Sequence, residues 1–187
     1  MAVKSNLTNM LLVLTATCLV CSSLLAGVYA VTAKPIEEAN KNILKESIGA
    51  VVPDGGEISD AKSVKVAGED SEYYVCAIDG QAAAYAIKST VVGFGGPLTI
   101  MVGITADGKV YNTSVLSHAE TPGLGAKCAT DEGFMAQWKG FDPSSKILSV
   151  KKDGGDIDAI TASTITSRAY TMAVKNAFEA YQTIKGE

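Results

Sequence analysis

Histidine is almost missing from this chain: His118 is the only one in 187 residues, and there are just four cysteines. Two of those, Cys18 and Cys21, lie near the N-terminus, so no cluster of nitrogen and sulfur ligands stands elsewhere. A zinc centre or a histidine-dependent hydrolase therefore has little to be built from, and no metal site is expected. Positive charge is also short. Lysine and arginine number 16 against 20 acids, and residues 1–34 hold only Lys4 and Lys34 with no acid at all. The remainder sets 14 bases against 20 acids. An acidic folded part lacks the basic face that a phosphate backbone requires, so no nucleic-acid partner is expected. Charge of either sign is absent from Ser5 to Ala33.

What is present is ordinary for a folded protein. Hydrophobic residues make up 47% and charged residues 19%, too apolar a balance for a disordered chain. The length allows one domain and a small appendage.

That appendage is the charge-free run. Met10 to Val31 is 22 residues of mostly apolar sequence, which as a helix extends roughly 33 Å and crosses a hydrocarbon core. A cleaved signal peptide is the rival reading, with Val28-Tyr29-Ala30 offering the small-residue spacing of a cleavage site. The run is longer than a usual signal core, which favours a retained anchor in the lipid bilayer. Either way the rest of the chain goes to the extracytoplasmic side, an orientation that Lys4 before the span and acids after it support. The expected division is a tail and anchor over 1–34 and an extracytoplasmic domain over 35–187. Cys18 and Cys21, three apart on one helix face, read as small packing residues against a neighbouring helix rather than as a redox pair. Cys76 and Cys128 have a pairing option in an oxidising compartment, which two cysteines alone do not establish.

Pro35 followed by IEEANKNILKESIG predicts an amphipathic helix, with Pro35 at its first position, Glu37 and Glu38 at its positive end and Gly49 at its stop. Alternating runs predict strands at Ser63–Val66, Tyr73–Ile78, Ala84–Lys88, Pro97–Thr105 and Val110–Leu116, with Asp107-Gly108 as a two-residue hairpin turn. Short turns between neighbours imply antiparallel pairing. A short helix is predicted over Asp131–Lys139, with Phe134 and Trp138 in the core, and a further strand over Ile147–Val150. Ser167–Ile184 is the clearest helix, with Tyr170, Ala173, Val174, Ala177, Tyr181 and Ile184 on one stripe. The expected class is α+β: one N-terminal transmembrane helix and one domain whose antiparallel sheet is flanked by helices.

Asp158-Ala159-Ile160-Thr161-Ala162-Ser163-Thr164-Ile165-Thr166-Ser167-Arg168 has the least usual composition in the chain, with five hydroxyls between positions 161 and 167. Directly before a long helix, hydroxyls serve as caps for its orphan N–H groups. One suffices for that, and a phosphate bound at the same positive end is the second reading.

Thr161-Ala162-Ser163-Thr164-Ile165-Thr166 resembles the flavinylation motif S/T-G-A-S/T-x-T of FMN-binding domains, in which FMN is joined to the last threonine through a phosphoester. Asp158 to Arg168 as a whole is similar to the corresponding run of the G subunit of the Rnf complex, as is His118-Ala119-Glu120-Thr121-Pro122-Gly123-Leu124-Gly125 to the ETPGLG segment of the same family. The Gly93-Phe94-Gly95-Gly96-Pro97 run and the N-terminal span also fit. The resemblance covers nearly the whole chain. It implies a covalent FMN on Thr166, a binding loop over Thr161, Ala162, Ser163, Thr164 and Ile165, and a second loop of Glu120, Thr121, Gly123, Leu124 and Gly125 set against the flavin ring. The family's usual glycine is Ala162 here and its usual alanine is Ser163; the methyl at 162 matters where that backbone needs a positive φ.

Carried over, the resemblance implies an electron-transfer flavoprotein subunit of a membrane-bound, ion-translocating ferredoxin:NAD oxidoreductase of the Rnf type. Such a subunit relays single electrons and has no catalytic residues of its own. Its partners are the other membrane and redox subunits and, for maturation, a flavin transferase that reaches a threonine on an accessible loop. The C subunit of a sodium-pumping NADH:quinone oxidoreductase shares fold and linkage and is the alternative. An exported binding module without redox chemistry is the reading from another class. His118 reads as an ordinary polar residue beside the second loop.

Overall fold

In the computed structural model, residues 6–66 and 69–186 are described; Lys4 lies outside them. The chain falls into two compact units, Met1–Ile43 and Leu44–Glu187. From Leu7 onward the described part of the first unit is helical. It belongs to α1, Leu7–Val51, whose remaining residues from Leu44 onward are part of the second unit.

α1 is long and apolar enough to cross a membrane. Along it Thr17, Ser23 and Thr32 donate their hydroxyls to the carbonyls four residues back, at 2.8, 2.8 and 2.9 Å. These hydroxyls carry no unpaired donor into an apolar medium. Cys18 and Cys21 are free and exposed on this helix. Pro35 does not open a new helix, as the sequence suggests; it sits inside α1. A proline without an N–H removes a single ladder bond, and the residues on both sides continue the helix.

The second unit is built on one antiparallel sheet. Its strands are β1 (Glu57–Ile58), β2 (Lys62–Val66), β3 (Glu69–Ile78), β4 (Gln81–Val92), β5 (Pro97–Thr105) and β6 (Val110–His118). The order is β1-β3-β4-β5-β6, with β2 also pairing β3. β3 and β4 are joined by Asp79-Gly80, with φ of 52° and 77°. Two residues with positive φ are what a type I′ hairpin turn requires. The Asp107-Gly108 hairpin is present, but with a three-residue connection. Thr105 N–H donates to Lys109 O at 2.9 Å, and only Gly108 has a positive φ. The Thr105 hydroxyl and the Asp107 carboxylate are hydrogen-bonded within this turn, which shapes it.

Alternation along β5 sorts the core. Leu98, Ile100, Val102 and Ile104 face one side of the sheet, where they meet Tyr170, Ala173, Val174, Ala177 and Tyr181 of α3 (Thr164–Gly186). Trp138, fully buried, and Phe134 complete this cluster in edge-to-face and stacked contact with each other and with Tyr170. Met101 faces the other side and packs with Ala84, Ala86 and Cys76 against Ile48, Val51 and Val52. Cys76 and Cys128 are buried in these separate clusters and are free thiols.

Two further readings change. The helix expected over Asp131–Lys139 is α2, Glu132–Ala136, capped by the Asp131 carboxylate, which accepts the Phe134 N–H at 2.8 Å. The strand expected at Ile147–Val150 is not formed. Val150 makes only an isolated bridge to Ile157, and Gly155 packs so closely on Ser149 that a Cβ would stand 2.0 Å from its carbonyl oxygen. This segment closes on its own neighbours, and its N–H groups are used locally: Ser149 N–H donates to Ile147 O, and Ile157 N–H to Ser149 O.

Candidate functional site

α3 begins at Thr164, three residues before the start read from the sequence, so Thr166 lies in its first turn and not on a loop ahead of it. The entry to the helix explains the shift. Ala162 has φ 61° and turns the chain. Ser167 N–H then donates to Ser163 O at 3.0 Å, the first bond of the helix. The Ser167 hydroxyl donates to the same carbonyl and accepts the Ile160 N–H at 2.9 Å, so Ser167 is the local brace. Arg168 fixes the other side of the turn through two 2.7 Å bonds to the Asp153 carboxylate. That pairing holds the Asp153 carboxyl below the usual range.

Thr166 is 1% exposed, which overturns the expectation of an accessible threonine. Its hydroxyl donates to Glu120 Oε2 at 2.8 Å. Glu120, itself 5% exposed, accepts the Phe94 N–H at 2.8 Å through Oε1. The glycines of both loops make room for this carboxylate. A Cβ on Gly93 would lie 2.0 Å from Oε1, and one on Gly95 would lie 2.0 Å from Ala119 O. Gly125, which opens the short 3₁₀ turn Gly125–Ala129, would carry its Cβ to 2.5 Å from Oε2. His118 Nδ1 accepts the backbone N–H of Glu120 at 3.3 Å. Beneath the site lies Cys128, whose thiol burial and the Glu120 charge push up to about 11.

These elements enclose a cavity of about 340 Å³ lined by Phe94, Glu120, Thr121, Leu124, Gly125 and the run Ala162–Thr166. The two loops singled out in the sequence thus meet across one space. Thr161 and Gly123 lie outside its lining; Gly123, with φ 75°, shapes the second loop. Phe94 is the residue that sequence reasoning passed over as a site member, and its signal was an aromatic ring between glycines in an exposed turn. Phe94, Leu124 and Ile165 expose 66%, 45% and 51% of their surface around the cavity. Inside, the Ser163 hydroxyl is buried with no hydrogen-bond partner. Among the described residues no group of three His, Cys, Asp or Glu side chains is placed to hold a metal.

A buried hydroxyl without a partner, a second hydroxyl on the next turn and the positive end of a 23-residue helix together suit an anion. The apolar rim suits a flat, partly apolar group. Residues 93–179 match the family model described as the FMN-binding domain. The fold and the cavity therefore define the class as an FMN-binding-domain protein with a membrane-length N-terminal helix.

The relatives carry the assignment further. The G subunit of the proton-translocating ferredoxin:NAD(+) oxidoreductase complex of Clostridium ljungdahlii is 34% identical over 92% of this chain and 90% of its own length. The G subunit of the ion-translocating oxidoreductase complex of Shewanella piezotolerans is 35% identical over 92% of this chain and 87% of its own. The chain belongs to this family, the G subunits of the Rnf ion-translocating oxidoreductase complexes, and is an electron-transfer subunit of such a complex. Among solved structures, the C subunit of the Na(+)-translocating NADH-quinone reductase from Parabacteroides distasonis superposes with a TM-score of 0.51 at 19% identity, over 76% of this chain and 82% of that one. NqrC of Shewanella oneidensis gives 0.52 at 21%, over 75% and 72%. Both show the fold.

Proposed function

We propose that this protein relays single electrons within a ferredoxin:NAD oxidoreductase complex through FMN held covalently by a phosphoester to Thr166 Oγ1. The observation that carries the reading is the convergence on one cavity of the Thr166 hydroxyl, the unpartnered Ser163 hydroxyl and the start of α3. FMN supplies one-electron redox chemistry when bound. The chain's own residues do the holding. The first-turn N–H groups of α3, which no helix can satisfy internally, and the Ser163 hydroxyl are donors for the phosphate. Phe94, Leu124 and Ile165 offer apolar surface to the ring, and Thr121 and Gly125 line the wall between.

The covalent bond has a physical purpose. On the extracytoplasmic side, where the domain over 35–187 is proposed to lie, no flavin pool replaces a lost cofactor, so a tether keeps the relay loaded. Residues 1–34 hold the domain to the lipid bilayer. Maturation needs a separate flavin transferase using FAD. Because Thr166 is buried, the transferase reaches it through the cavity while the exposed rim side chains Phe94, Leu124 and Ile165 move aside. Denaturing electrophoresis of protein made with a flavin transferase tests the reading. Flavin fluorescence on the band, lost in Thr166→Ala, is expected. A dark wild-type band favours a binding module without redox chemistry.

A further inference from the structure

The Glu120 side chain poses a question that holding a cofactor does not answer. It is almost wholly withdrawn from water, and among the described residues none of the ion pairs includes it. Its two contacts are a backbone N–H and the Thr166 hydroxyl. A buried carboxylate without a cationic partner is costly. Glutamine would meet both contacts without that cost, since its amide oxygen accepts the Phe94 N–H and its NH₂ donates to the threonine oxygen. A group that accepts protons stands where a neutral amide would serve the packing. It touches the hydroxyl that the proposed linkage consumes.

We propose that Glu120 is the proton acceptor for modification of Thr166. The inference rests on the reading that Thr166 carries the flavin. Holding the hydroxyl hydrogen on Oε2 leaves an Oγ1 lone pair free to attack the flavin-side phosphorus of FAD. The Oγ1–P bond forms, the pyrophosphate P–O bond breaks, and AMP leaves with that electron pair. The Oγ1 proton passes to Glu120. The carboxyl group, now carrying that proton, turns from acceptor to donor beside the new phosphodiester. The glycines at 93 and 125 leave the carboxylate room beside the Thr166 hydroxyl.

Two titratable groups stand against Glu120. The Cys128 thiol stays neutral well above neutral pH, and the His118 imidazole takes the Glu120 backbone N–H.

The full chain, a purified flavin transferase and FAD make the assay, read as flavin fluorescence on the denatured band against time and pH. Wild type is expected to label at Thr166 at a rate that falls as the medium becomes acidic, and His118→Asn is expected to keep that fall. Glu120→Gln, with an unchanged melting temperature, is expected to label at least about 100-fold more slowly and with no acid limb. Labelling of Glu120→Gln at the wild-type rate and with the wild-type pH profile overturns the proposal while leaving the attachment site intact. Absence of label on Thr166 in wild type overturns the underlying reading instead. Should Glu120→Gln melt below the assay temperature, Glu120→Asp decides. Slowed labelling that keeps the acid limb supports the proposal, and wild-type labelling overturns it.

Discussion

Gly125 stands against Glu120 so closely that a single methyl group on its Cα would come within 2.5 Å of the carboxylate. The same methyl would lie 2.7 Å from Thr166 Oγ1. The glycine is the space that the Glu120–Thr166 hydrogen bond occupies. Gly125→Ala is expected to break that bond and to strand a buried carboxylate, at about 1–3 kcal/mol of stability. Urea denaturation gives the stability loss, and band fluorescence after incubation with the transferase is expected to fall with it. An alanine variant as stable and as readily labelled as wild type would show that the bond has no role.

Ala162 carries a backbone that its side chain disfavours. With φ 61° it occupies the left-handed region, where a Cβ costs about 1–2 kcal/mol. Glycine removes that cost but loses roughly 0.5–1 kcal/mol in unfolded-chain entropy. Ala162→Gly is therefore expected to be more stable by about 0.5–1 kcal/mol and to accept flavin as wild type does. A thermal melt checks the first part and gel fluorescence the second. A lower melting temperature would contradict the strain argument.

On the far side of the sheet the end of α1 depends on Gly103 of β5. A Cβ there would lie 1.6 Å from the Val51 carbonyl oxygen, a backbone atom that no rotamer change moves. Gly103→Ala is expected to cost about 1–3 kcal/mol or more, as overpacking does. Hydrogen exchange is the sharper measurement, because the amides of residues 47–52 should lose protection first. Uniform loss across both core clusters would mean that the helix end is not a separate element.

Alkaline pH should destabilise the domain through its buried thiol. Burial and the Glu120 charge push Cys128 up from its ordinary value of 9 to about 11, and burial also raises Tyr170. Groups raised in the fold stabilise it fully below their unfolded values. That contribution is lost as pH rises from 9 towards 11. Melting temperatures across this window should fall, and less steeply in Cys128→Ala. In the native protein Cys128 should resist alkylation near pH 8, being buried and almost entirely protonated.

Much of this architecture is legible in the chain itself. Alternation in Pro97–Thr105 gives β5 and both of its faces, and the apolar stripe from Tyr170 to Ile184 gives the helix that covers one of them. The charge-free N-terminal run gives α1, but Pro35 hides its continuation. Proline reads as a helix start, and only the flanking residues decide that it is carried inside. The early start of α3 is masked for a similar reason. Thr164, Ile165 and Thr166 are β-branched and look like loop or strand, while the bonds made by Ser163 and Ser167 pull them into the helix. The two loops of the site are visible as sequence, yet the bond between Glu120 and Thr166 joins residues 46 apart. No local pattern encodes that contact. It arises because β5 and β6 deliver the second loop to the start of α3. The glycines at 93 and 125 look like turn residues, and their use as clearance for one carboxylate appears only once the loops meet.

The central claim is the attachment of FMN to one hydroxyl. Tryptic digestion releases the peptide from Asp153 to Arg168, which contains every hydroxyl of the motif. Mass spectrometry of protein matured with its flavin transferase should find this peptide heavier by FMN less one water, with fragment ions placing the addition on Thr166. An unmodified peptide, or one bearing the flavin on Thr161, Ser163 or Thr164, would contradict the account.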